Sequence, residues 1–79
     1  MEMIVIGLDV HKHSLTAVAV DELGRELGAW SGPIGVGAVQ WAQSLAAERL
    51  WAVEDCRHVT RALEQTLLAA GERLVRVPP

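Results

Sequence analysis

The chain has no tyrosine, no phenylalanine, a single cysteine and no long apolar run. One cysteine cannot form an internal disulfide, so the fold cannot depend on a covalent cross-link. No stretch approaches the roughly 20 apolar residues that cross a bilayer. The N-terminus has no basic region ahead of its apolar stretch, and Glu2 and Asp9 interrupt it, unlike a secretory leader. A soluble, cytoplasmic protein without a membrane partner is the expectation. An excess of positive charge is also lacking: the formal net charge is −3, whereas proteins that coat nucleic acid are usually strongly basic. Any contact with nucleic acid is therefore expected at a local site or with help from other segments.

What is present is aliphatic. About half of the 79 residues are hydrophobic, which argues for a packed domain rather than a disordered tail. At this length there is room for one domain, residues 1–79, which buries roughly 60% of the surface its unfolded chain exposes.

The hydrophobic pattern divides into seven elements. Residues 3–9 form an apolar run with β-branched members and suit a strand buried on both faces. Residues 14–20 read as a second strand, 21–25 as a turn with Gly24 available for a positive φ, and 26–31 as the returning partner. After the break at Gly32-Pro33-Ile34-Gly35 the period becomes helical from Val36 to about Ala47. Val36, Val39, Ala42 or Gln43, and Ala46 share a face there, with Trp41 and Leu45 beside it. A short strand at 49–53 ends at Glu54-Asp55. A second helix spans about 58–70, with Val59, Ala62, Leu63, Thr66, Leu67 and Ala70 in one stripe and Gly71 as its stop. Residues 74–77 make the last strand.

This β-β-β-α-β-α-β order predicts an α/β fold: a meander followed by two right-handed crossovers. The strand order is then 3-2-1-4-5, with only the second strand antiparallel and both helices on one face. Such sheets bind ligands outside the carboxyl ends of strands at a topological switch. Here that is the crevice between the first and fourth strands, which end in Asp9 and Glu54. Carboxylates on adjacent strands about 4.8 Å apart repel unless they share a cation. Mg²⁺ or Mn²⁺ takes such oxygen ligands, and metal-assisted displacement at phosphodiesters uses them. Acids also end strands as plain solvated caps, and spacing alone does not choose between the two.

Two strings carry a resemblance: GLDVHKHSLTAVAVDELGR at 7–25 and WAVEDCRHVTRALEQTLLAAGERLVRVPP at 51–79. They resemble the N-terminal domain of DEDD-type insertion-sequence transposases, the "one-ten" family, over nearly the whole chain. The most specific parts are Gly7-Leu8-Asp9-Val10-His11-Lys12 and the strand ending Val53-Glu54 with its following helix and Arg76-Val77-Pro78-Pro79 finish. The resemblance implies an RNase H-like (RuvC-like) fold and metal-dependent DNA cleavage and recombination, guided in the family by an RNA. It places the first two catalytic acids, which are also metal ligands, on Asp9 and Glu54. Family members continue past the di-proline into a basic stretch, a helix with two further aspartates, and a distant domain with a nucleophilic serine. The resemblance thus implies a fragment holding half of a catalytic set, inactive alone. Its second sheet face would be covered by a missing segment or by self-association, as an apolar face left bare is a partner surface or an aggregation hazard.

Other residues admit two readings. Lys12, within His11-Lys12-His13, suits a phosphate point charge or a solvated turn. Arg57 and Arg61, one helical turn apart, suit a DNA backbone or an exposed face. Asp55 is an alternative ligand or a turn and cap residue; Cys56 a small filler. Trp30, Trp41 and Trp51 are better placed for packing than for base stacking. Two further function classes compete: a non-catalytic, self-associating remnant, and the N-terminal lobe of an actin-like kinase or ATPase. The latter needs glycine and a small hydroxyl residue soon after the aspartate, where this chain has Val10-His11-Lys12.

Overall fold

A computed structural model describes residues 3–54 and 57–78, with the backbone only at 57–60. Asp55 and Cys56 lie outside the described residues. The elements are β1 (Met3–Val10), β2 (Ser14–Val20), β3 (Glu26–Pro33), α1 (Val36–Leu45), β4 (Glu48–Glu54), α2 (Arg57–Ala69) and β5 (Arg73–Val77). They build one five-stranded sheet in the order β3-β2-β1-β4-β5. β1 pairs antiparallel with β2 and parallel with β4; β2 pairs antiparallel with β3, and β4 parallel with β5. The meander-and-crossover topology expected from the hydrophobic pattern is the one observed.

Side-chain alternation assigns the two faces of the sheet. Ile4 and Ile6 of β1, Leu15, Ala17 and Ala19 of β2, and Trp51 and Val53 of β4 are buried in one cluster. That cluster also contains Ala38, Val39 and Ala42 of α1 and Leu63 and Leu67 of α2. Both helices therefore cover the same face. The opposite face carries Val5 and Gly7 of β1, Val18 and Val20 of β2, Leu50 and Ala52 of β4, and Val75 and Val77 of β5. The last two are 43% and 44% exposed. The expectation that β1 is buried on both faces is thus corrected: it is buried on one, because no described element packs on the other.

Smaller corrections have local causes. α1 stops at Leu45, and Val36 is 60% exposed because the inward stripe runs through Ala38, Val39 and Ala42. β3 continues to Pro33, paired with Ser14 on the sheet edge, where a missing N–H is tolerated. Trp30, on this edge strand, lies over glycine. A Cβ on Gly32 would fall 2.6 Å from its ring and one on Gly37 2.9 Å, so two glycines seat the indole between β3 and α1. Ala62 of α2 and Ala70 just beyond it are exposed, and Glu64 is buried, since its carboxylate accepts from the Arg76 guanidinium (Nη2–Oε1 2.7 Å).

Two turns follow from their sequences. Asp21 accepts hydrogen bonds from the backbone N–H of Leu23 and Arg25, both 2.9 Å, and Gly24 takes φ 81°. α2 ends in a Schellman motif: Gly71 at φ 77° donates to Leu68 O, and Glu72 N–H donates to Leu67 O.

That motif delivers Glu72 to the main polar lock of the interior. Its carboxylate accepts from Arg49 Nε and Nη2, both 2.7 Å, and from Trp51 Nε1 at 2.8 Å. Arg49 Nη1 also donates to Ala46 O at the end of α1, at 2.6 Å. One buried ion pair thereby ties the ends of both helices to β4. The Arg49 hydrogen bonds above all hold the Glu72 carboxyl below its ordinary range, and the same pairing raises the Arg49 guanidinium.

Removing Glu72 strands a buried guanidinium, which costs roughly 3–5 kcal/mol in a domain of this size with roughly 4–12 kcal/mol in all. Urea denaturation should show the midpoint of Glu72→Ala falling steeply, with a smaller loss for Glu72→Gln. Because the folded-state carboxyl is depressed, its contribution is complete above the ordinary glutamate value of about 4.3. It is lost as pH falls through the lower folded value, so Glu72→Gln should flatten the acid limb of the stability curve.

Candidate functional site

The site begins with a parity rule. Ile4, Ile6, Leu8 and Val10 of β1 turn toward the helices, so Val5, Gly7 and Asp9 turn to the bare face. On β4, Trp51 and Val53 turn toward the helices, so Leu50, Ala52 and Glu54 turn the other way. The parallel register pairs Val5 with Leu50, Gly7 with Ala52 and Leu8 with Val53. One further step brings Asp9 level with Glu54 on the same face, at the carboxyl ends of adjacent strands about 4.8 Å apart.

Both acids are exposed. The His11 imidazole lies beside Asp9, with Nε2 3.5 Å from Oδ2 and side chains 61% and 75% exposed for His11 and Asp9. At that distance and exposure the contact contributes little. The turn itself is closed by His11 N–H donating to Ser14 O at 2.8 Å, which leaves Lys12 and His13 in solvent at the same end of the sheet as the acids.

The same cross-strand level continues outward. Thr16 of β2 pairs with Asp9, and Ser31 of β3 pairs with Thr16. Their hydroxyls lie 3.1 Å apart in a hydrogen bond. A polar row, Ser31–Thr16–Asp9–Glu54, thus borders a face whose next row is Ala29, Val18, Gly7, Ala52 and Val75. The hydroxyl pair was not among the candidates read from the sequence. Its signal lay in the meander register, which places Thr16 beside Asp9 once the turn length is known.

Of the remaining candidates, Arg61 is exposed on α2, which packs on the opposite face of the sheet from the acid pair. Arg57 opens α2, three residues beyond the last residue of β4. Trp51 is fully buried, and Trp30 and Trp41 pack against the core, as packing residues should. Among the described residues, no group of three or more His, Cys, Asp or Glu is placed to hold a metal ion. The Asp9–Glu54 pair is a two-carboxylate set whose oxygen donors suit Mg²⁺ or Mn²⁺ chemically and leave most of such an ion's shell to water or further ligands. Among the described residues, no helix is long and apolar enough to cross a membrane.

No family model, curated protein or solved structure matches this chain. The likeness to transposases therefore rests on the two sequence strings, and the site on its own geometry.

Two like charges at this separation repel by about 1 kcal/mol in water. Asp9→Asn and Glu54→Gln should each leave the fold intact and raise the metal-free melting temperature by up to a few degrees at low ionic strength. The gain should vanish at about 1 M salt, where the Debye length is about 3 Å. Thermal scans of the two single variants and the double variant at both salt concentrations check this, the double variant gaining less than the sum.

Proposed function

We propose that this chain is the N-terminal part of an RNase H-like catalytic domain of a DEDD-type transposase, acting on DNA. The observation that carries the reading is the register that sets Asp9 and Glu54 side by side at the switch point of the sheet. In this reading they are the first two acids of a Mg²⁺ or Mn²⁺ site. When bound, the divalent ion supplies charge stabilisation at a phosphoryl oxygen during in-line displacement. The chain's own part is positional. The two strands carry the carboxylates on one face at neighbouring strand ends, and the negative pair draws in a cation. Lys12, on the turn after Asp9, offers a phosphate point charge at the same end. Arg57 and Arg61 are assigned to the DNA backbone on the strength of the sequence resemblance.

A two-acid set needs further ligands, and the apolar face needs cover. Both are met if a following segment, or a second copy of the chain, packs on the bare face. The family resemblance favours the first, with a guide RNA as the further partner of the full-length protein. The same bare face also supports a second reading, a non-catalytic module that associates with itself through Val18, Val20, Leu50 and Val75. Nothing favours the kinase lobe, since Val10, His11 and Lys12 occupy the place where a phosphate loop needs small residues.

Titration of the isotopically labelled chain with Mn²⁺, followed by amide NMR, separates the readings. The expected outcome is paramagnetic broadening confined to the surroundings of Asp9 and Glu54 and abolished in Asp9→Asn. Diffuse broadening, or equal broadening in the variant, would sink the metal-site reading and leave the self-associating module.

A further inference from the structure

We infer that the Thr16–Ser31 hydroxyl pair is a positioning site for the phosphodiester backbone of single-stranded DNA, set beside the acid pair. The inference rests on the ion-site reading above and assigns it a substrate contact. Four side chains on four successive strands, Ser31, Thr16, Asp9 and Glu54, stand at one cross-strand level. From Ser31 to Glu54 the row runs about 14 Å across the sheet, three strand spacings. The row behind it is alanine, valine and glycine, so the polar band is confined to the edge where the acids sit.

The chemistry of the two halves differs in the way a phosphodiester needs. Ionised carboxylates only accept hydrogen bonds, so beside them a phosphate oxygen finds repulsion unless a cation intervenes. A hydroxyl carries one donor and two acceptor sites. Within the pair, one hydrogen is spent on the 3.1 Å bond and the other hydroxyl keeps its hydrogen to donate outward. That donor is neutral and does not compete with a cation for the acids. Lys12, in the turn between β1 and β2, is at the same end of the sheet and supplies a positive charge where the chain as a whole is at −3. A strand laid along the row would meet one outward donor at the Thr16–Ser31 pair and the ion at Asp9 and Glu54.

The test is an NMR titration of the chain, in Mg²⁺, with a short single-stranded oligothymidylate. Thr16→Val keeps the β-branched shape and strand preference, and Ser31→Ala serves as a second variant. The expected result is amide shifts at Thr16 and Ser31 in the parent, and affinity reduced roughly fivefold in Thr16→Val, the worth of one ordinary hydrogen bond. Mn²⁺ broadening at Asp9 and Glu54 should be unchanged in that variant. Retained broadening with unaltered oligonucleotide affinity in both variants overturns this inference alone, as does the absence of shifts at Thr16 and Ser31 at millimolar oligonucleotide. Failure of Mn²⁺ to broaden the acid pair in the parent overturns the ion site and this inference together.

Discussion

The parallel pairing of β1 with β4 is the constraint on which everything else rests. Its register is held by hydrophobic alternation: Ile4 and Ile6 on one strand and Trp51 and Val53 on the other must enter the same core. A one-residue slip of either strand would turn its whole apolar set to the bare face. The same slip would carry Asp9 or Glu54 to the helix side of the sheet. Core packing and the placement of the acids are therefore one requirement, and the protein cannot relax one without losing the other.

The Arg49–Glu72–Trp51 cluster acts on this register from the opposite end. Arg49 and Trp51 belong to β4, while Glu72 follows the Schellman turn that stops α2. The ion pair is buried at the amino end of the strand, where it pins both helices, and the acids lie at the carboxyl end, where nothing described covers them. Polar groups whose partners are supplied internally sit inside. The acids and the Thr16–Ser31 pair sit at the rim, open to whatever the site takes. A small domain with little stability to spare thus gives each of its buried carboxylates, Asp21, Glu64 and Glu72, hydrogen-bond partners and keeps the repulsive pair in solvent, where repulsion is weakest.

Much of this was legible in the residues. The change of period at Val36, the glycines at 24 and 71 and the short apolar segment around Trp51 place every element within about two residues. The meander followed by two crossovers then gives the sheet order, and the order brings Asp9 and Glu54 together. What stayed hidden depends on exact register or on long-range partners. Thr16 and Ser31 are ordinary strand residues until the turn at 11–13 fixes which of them faces Asp9. Glu72 reads as part of a polar tail after a helix, and its burial follows only from the helix-stop geometry that aims it at Arg49, 23 positions away in sequence. Val36 looks inward by periodicity alone, but the way α1 is turned on the sheet buries Ala38, Val39 and Ala42 and leaves Val36 exposed. Single-residue burial depends on how a helix is seated, which a hydrophobic pattern does not encode.

The central claim is that the β1–β4 register builds a cation site from Asp9 and Glu54. Crystals of the chain soaked in Mn²⁺ and measured for anomalous scattering test it most directly. The account predicts a peak bridging the two carboxylates that disappears in Glu54→Gln. A peak confined to the imidazoles of His11 and His13, or none at the acids at millimolar metal, would contradict it.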